Sequence, residues 1–166
     1  MREQRPVPAR NAGAVACLAV FAGLAGGCSG GEVPVDAPAL TGAAAKACGK
    51  LVRSLPQTVS DQSRRLVDPG QAYGAAWGDP AIVLRCGVRQ PKGLDRFATC
   101  QETNGVGWFV PEEQIEDQSA DVLMTTIGFA QNVQVRVPAQ YRPPAAAMVD
   151  LGDAIKQAIL EVKPCL

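Results

Sequence analysis

Six cysteines and one dense run of carboxylates are the residues of this 166-residue chain whose types and spacing could do chemistry. Histidine is absent altogether, which removes the commonest zinc ligand and the commonest partner for activating a nucleophile. No two cysteines stand in a Cys-x-x-Cys spacing, so neither redox catalysis nor a zinc site is expected of them. Glu112, Glu113, Glu116 and Asp117 have the density of a cation or sugar site, but they lack EF-hand spacing and read as a solvated acidic loop. Gly27-Cys28-Ser29-Gly30-Gly31 matches the nucleophile-elbow pattern literally; no strand precedes it and no histidine could complete a triad. Asp79, between Gly78 and Pro80, reads as a turn residue. Trp77 and Trp108 could stack on a ligand, but aromatics are scarce and a core needs them. No catalytic residue, metal site or cofactor is assigned.

The N-terminus is read as an address. Arg2, Arg5 and Arg10 precede an uncharged, mostly apolar run of 12 residues over 14–25, then Gly26, Gly27 and Cys28. A charged start, a short apolar run and small residues at the cut describe a secretory signal. Twelve residues span roughly 18 Å as a helix, too short for a ~30 Å hydrocarbon core. Leu24-Ala25-Gly26-Gly27-Cys28 resembles a bacterial lipobox, with Ala25 where a larger aliphatic residue usually stands. The resemblance implies cleavage before Cys28 and acylation of its sulfur. The expected partner is then the membrane, through a lipid anchor on the extracytoplasmic face. Residues 28–40, rich in glycine and proline, are expected to be a flexible tether with an r.m.s. span of about 20 Å. Residues 41–166 are expected to form a single domain.

The elements that must position these residues follow from periodicity. Ala44, Ala47, Cys48, Leu51 and Leu55 share a helical face over 43–55. The polar stretch 58–65 is ambiguous. Asp68-Pro69-Gly70-Gln71 has the form of a helix start, which predicts a short helix carrying Tyr73 and Trp77. Residues 81–86 alternate as a strand, and 97–103 and 106–110 flank Asn104-Gly105, a strong hairpin signal. Residues 122–127 and 132–137 predict another strand pair. Met148, Leu151, Ile155, Ile159 and Val162 form the stripe of a last helix reaching from Pro143 to about 162. The order predicts an α+β fold: an antiparallel sheet of about five strands with the N- and C-terminal helices packed on one face.

Cys17 leaves with residues 1–27, and Cys28 is taken by lipid. Cys48, Cys86, Cys100 and Cys165 remain, an even number that suggests two disulfides in an exported chain. Cys48 lies on the apolar helix face and Cys86 on the strand face with Ile82 and Leu84, so Cys48–Cys86 with Cys100–Cys165 is the expected pairing. The alternative joins Cys86 to Cys100 as strand neighbours and leaves Cys48 to Cys165.

Composition sets outer bounds. An apolar fraction of 47% and a charged fraction of 19% suit one globular domain. Removing residues 1–27 leaves a net charge of about −2, so nucleic acid is not an expected partner. Basic side chains dominate 46–96 and acidic ones 97–166. That asymmetry fits either a bipolar surface or two halves that interleave and pair weakly.

Trp77-Gly78-Asp79-Pro80-Ala81-Ile82-Val83-Leu84-Arg85-Cys86-Gly87-Val88 resembles the signature of the actinobacterial domain of unknown function 3515 family of lipoproteins. Asn104-Gly105-Val106-Gly107-Trp108, residues 124–138 and residues 43–56 with Cys48 fit the same pattern, so the resemblance covers nearly all of 40–162. It implies an exported or lipid-anchored envelope protein with no assigned activity, and it carries over no catalytic residue. Cys48 and Cys86 match cysteines of the family; Cys100 and Cys165 are additions. Residues and resemblance together predict a non-catalytic accessory lipoprotein that binds an envelope protein or cell-wall component. The alternatives are a carboxylate-dependent cell-wall hydrolase or lyase, and a small-ligand carrier with a pocket between sheet and helices.

Overall fold

A computed structural model of the chain describes residues 31–68, 72–94 and 100–164. The lipobox, residues 28–30 and Cys165 lie outside the described residues. The fold is α+β: an antiparallel sheet with two long helices on one face. The sheet has eight strands, not about five. In chain order the elements are α1 (Gly42–Ser54), β1 (Thr58–Val59), β2 (Gln62–Arg65), β3 (Gly74–Trp77), β4 (Ile82–Val88), β5 (Gln101–Thr103), β6 (Val106–Phe109), α2 (Glu112–Glu116), β7 (Val122–Ile127), β8 (Asn132–Val137) and α3 (Ala145–Ala158). Across the sheet the order is β1-β2-β3-β4-β8-β7-β6-β5.

Two of the additional strands come from the ambiguous stretch. β1 and β2 pair through a two-residue turn in which Ser60 and Asp61 both take positive φ. Aspartate tolerates that conformation, and the Ser60 N–H donates to Asp150 of α3 at 2.8 Å. The third is β3, where a short helix with Tyr73 and Trp77 was expected. Its pattern was misleading because Gly74, Ala75 and Ala76 are small for a packing reason: all four β3 residues are buried. Ala75 and Trp77 pair with Leu84 and Ile82 on the helix-covered face. A Cβ on Gly74 would sit 2.3 Å from Val35 Cγ1 on the other. Residues 69–71 of the expected helix start lie outside the described residues. At Asn104-Gly105 both residues take positive φ and close the β5–β6 hairpin as expected.

Register puts the apolar halves of the strands on one face. Leu84, Val135 and Met124 form one row across β4, β8 and β7, each fully buried. Cys48 and Leu51 of α1 and Leu151 and Ile155 of α3 cover this face. α3 touches β1 at one sheet edge and β5 and β6 at the other, so the sheet curls around it. Trp77 and Trp108 are fully buried here, and the Trp77 indole N–H donates to Pro56 O at 3.0 Å. They fill the core and offer no stacking surface.

Arg64 closes the C-terminal end of α1. Its guanidinium donates to Val52 O and Leu55 O and lies 5.2 Å over the Trp77 ring. Unpaired carbonyls and an aromatic face both favour a cation there. Desolvation lowers its pKa, yet a guanidinium stays charged.

The last helix ends earlier than the stripe predicted. α3 stops at Ala158, and the chain turns back along the β7–β8 turn. Ala130 N–H donates to Leu160 O at 2.8 Å, and Val162 N–H to Gly128 O at 2.7 Å. Ile159 stays buried, while Leu160 and Val162 face outward.

Candidate functional site

Cys48 and Cys86 are joined by a disulfide with Cα atoms 5.6 Å apart. It staples α1 to β4 through the core, and both cysteines are fully buried. Cys100 is disulfide-bonded as well; Cys165, its expected partner, lies outside the described residues. Cys28 also lies outside them. Among the described residues no helix is long and apolar enough to cross a membrane, and no group of His, Cys, Asp or Glu could hold a metal ion.

The sheet face away from the helices carries a strap. The part of the expected tether that the structure describes, residues 31–40, is laid along the domain rather than free of it. Val33 bridges Val67 in parallel, Val35 is 2% exposed against Gly74, and Leu40 lies on Gly87. Small residues at 74 and 87 make this approach possible, because any side chain there would occupy the strap's place. Arg85 donates to Asp36 O at 3.3 Å and to the Gln134 side chain, tying strap to sheet.

Beside the strap lies an open groove of about 280 Å³, lined by Pro34, Asp36, Val83, Arg85, Leu123 and Arg136. The register that buries Leu84, Val135 and Met124 on one face necessarily places Val83, Arg136 and Leu123 in a row on the other. Arg136 pairs with Asp121 at 3.0 Å with half its side chain exposed. Asp121 also accepts from Ala139 N–H at 3.0 Å. The groove therefore sets Arg136, paired with Asp121 through Nη1, and the exposed Asp36 beside aliphatic Val83 and Leu123.

A second hollow, about 140 Å³, lies against α2 and is lined by residues including Gln101, Gln114, Ile115, Gln118, Val122 and Arg142. Arg142 donates to Gln114 O, Ala120 O and the Gln118 side chain, and so holds α2 and the loop after it in place. The carboxylates expected on an acidic loop stand on α2 and just after it. Glu112, Glu113, Glu116 and Asp117 are all exposed, and none of them lines either hollow. Asp117 accepts from the Ser119 hydroxyl at 2.6 Å and from the Ser119 N–H at 2.9 Å. These bonds, the hydroxyl first, hold its carboxyl below the usual aspartate range.

The uneven charge along the sequence is carried into the sheet: β1–β4 from the basic half lie on one side and β5–β8 from the acidic half on the other. β4 from the basic half lies beside β8 from the acidic half. Among the described residues the ion pairs Arg65–Asp79, Arg136–Asp121 and Lys156–Asp153 each join residues within one half. All involve exposed partners and contribute little to stability.

The model of the protein family of unknown function DUF3515 matches residues 11–164. The chain belongs to this family. Comparison with curated proteins and with solved structures gives no match. In this DUF3515 domain the Trp77–Val88 stretch runs from the last residue of β3 through the turn and along β4. Trp77, Ile82, Leu84 and Cys86 are its buried positions, and Asp79 and Pro80 lie in its turn. The signature residues thus build the core and its disulfide, while Val83 and Arg85 of the same strand look into the groove.

Proposed function

We propose that the protein is exported, cut before Cys28, lipidated on that cysteine and held on the outer face of the membrane. There its domain binds or supports another component of the envelope. The observation that carries the reading is the fully buried Cys48–Cys86 disulfide. Such bonds persist in oxidising compartments and are rare in the cytosol, and the N-terminus of this chain reads as a lipoprotein signal. The open-face groove is the surface we assign to binding. Its half-exposed Arg136 beside Val83 and Leu123 suits a partner with anionic and apolar groups together. The exposed position of Glu112, Glu113, Glu116 and Asp117, outside both hollows, favours binding over a hydrolase or lyase that would need carboxylates facing across a cleft.

Membrane fractionation and mass spectrometry test the anchor. The mature N-terminus should be an acylated Cys28, and Cys28→Ser should release the protein or leave uncleaved precursor. An unmodified N-terminus elsewhere sinks the reading. For the binding role, Leu123→Asp and Arg136→Glu should abolish complementation of a deletion strain. Alanine at each of Glu112, Glu113, Glu116 and Asp117 should leave it intact; loss of function at one of these, with folding unchanged, would favour the enzyme.

A further inference from the structure

We propose that the end of the sheet carrying the β3–β4 turn faces the lipid bilayer, and that the opposite end, with Leu66 and Leu160, points away from it. The inference rests on the reading that Cys28 is lipidated and adds how the domain stands on its anchor.

The direction of the strap carries the inference. Val33 N–H donates to Leu66 O at 2.8 Å and Asp68 N–H donates to Val33 O at 3.3 Å, so the strap runs parallel to residues 66–68. Further along, Val35 meets Gly74 and Leu40 meets Gly87, near the far end of β4. Ahead of Val33 the strap therefore leads back toward the start of β2. Arg65 fixes where it arrives. Its Nη2 donates to Gly31 O at 3.1 Å, while its Nη1 donates to Gly78 O at 3.0 Å and stands 3.8 Å from the Asp79 carboxylate. One guanidinium thus holds Gly31 to the β3–β4 turn.

Chain length then decides the orientation. Cys28 is three residues before Gly31, at most about 11 Å of extended chain. Acyl chains hold Cys28 at the lipid surface, so the turn end stays within about that distance of it. β4 has seven residues, roughly 23 Å from end to end. Turning the domain over would require the chain ahead of Gly31 to reach back along that length, about twice what three residues span. A tether free through residue 40 would have left both orientations open.

The side chains at this end show what holds it there. β2, β4 and β7 run in the same direction, each separated from the next by one antiparallel strand. Asp61, Asp79 and Asp121, just ahead of these three strands, are exposed. Carboxylates gain nothing from anionic headgroups, so the short tether and not lipid charge sets the orientation. Val83, Arg136 and Leu123 are each one residue in from this end of their strands. The groove therefore opens on the membrane side of the domain.

The test uses the full-length acylated protein on phosphatidylcholine vesicles that carry an energy acceptor on a fraction of the headgroups. A fluorescent coumarin amino acid replaces Asp79, Gln140, Leu66 or Leu160, one at a time; all four are exposed. Asp79 and Gln140, the latter just after β8, report on the turn end, and Leu66 and Leu160 on the other. Transfer from 79 and 140 should exceed transfer from 66 and 160 by about twofold or more, given ends roughly 23 Å apart. It should do so at low and high salt alike. A Gly-Ser insertion of about twelve residues after Gly30, with an r.m.s. span of about 20 Å, should abolish the difference. Equal transfer from the two ends without the insertion overturns the proposal, as does greater transfer from 66 and 160. A difference that survives the insertion also overturns it, because a surface contact and not the tether would then set the orientation. Vesicle flotation and the mass of the mature N-terminus separate the two levels. A chain that floats with acylated Cys28 but shows equal transfer removes only this inference, and a chain without acyl groups removes both.

Discussion

Removing the Cys48–Cys86 bond should cost a large share of the stability of this domain. The cysteines are 38 residues apart, and the loop-entropy relation for that length gives about 4 kcal/mol at 25 °C. Domains of this size have a total of roughly 5–15 kcal/mol. The perturbation is Cys48→Ala with Cys86→Ala, made together. A single substitution would leave one thiol to exchange with the disulfide at Cys100. Alanine also avoids placing a hydroxyl where both positions are fully buried. Urea unfolding followed by Trp fluorescence reads the effect, because Trp77 and Trp108 are buried in the same core. With a slope of about 1–3 kcal/mol per molar urea, the midpoint should fall by roughly 2 M. The native bond should also resist reductant until the core opens. A loss below about 1 kcal/mol would refute the reasoning, because it would mean that the unfolded chain gains little freedom when the bond is absent.

Gly74→Ala should destabilise the domain by about 1–3 kcal/mol, since its Cβ would overlap Val35 on the strap and Val35 has no room in the buried site. Val35→Ala should recover part of that loss; strict additivity of the two changes in urea unfolding would show that the strap does not rest on β3. Asp117 should titrate below an ordinary aspartate in a carboxyl NMR titration, and Ser119→Ala should move its midpoint back up. The sign follows from linkage: a carboxyl depressed in the folded state stabilises above its unfolded pKa, and that contribution is lost as pH falls through the folded value. An unchanged midpoint in Ser119→Ala would remove the hydroxyl as the main cause.

The α+β class, the two long helices and the strands over 82–88, 106–109, 122–127 and 132–137 were legible because periodicity reports which face of an element is buried. The faces of Cys48 and Cys86 were legible for the same reason, and the disulfide joins them. Where periodicity failed, a neighbour distant in sequence had decided the matter. Ala75 and Ala76 suit a helix by propensity, yet strand β4 on one side and the strap against Gly74 on the other hold the segment extended. The turn Ser60-Asp61 lacks the usual Asn-Gly, and Asp150 of α3 supplies a bond that the local sequence cannot. The stripe of the last helix ran on past Ala158 because Ile159 is buried; whether the chain stays helical there depends on the Gly128 carbonyl it can pair with instead.

The sequence by itself determined family, fold class and the buried face of each long element, because these depend on side-chain type at short spacing. It also supplied the case for an exported, lipidated chain, read from residues ahead of the domain. Tertiary structure alone decided that residues 31–40 are a bound strap, that Arg136, Val83 and Leu123 share a groove, and that Glu112, Glu113, Glu116 and Asp117 stay outside it. Those facts depend on strand order and register. In an antiparallel sheet both are set by which strands meet across the core, and β4 meets β8 only after more than forty intervening residues have folded elsewhere.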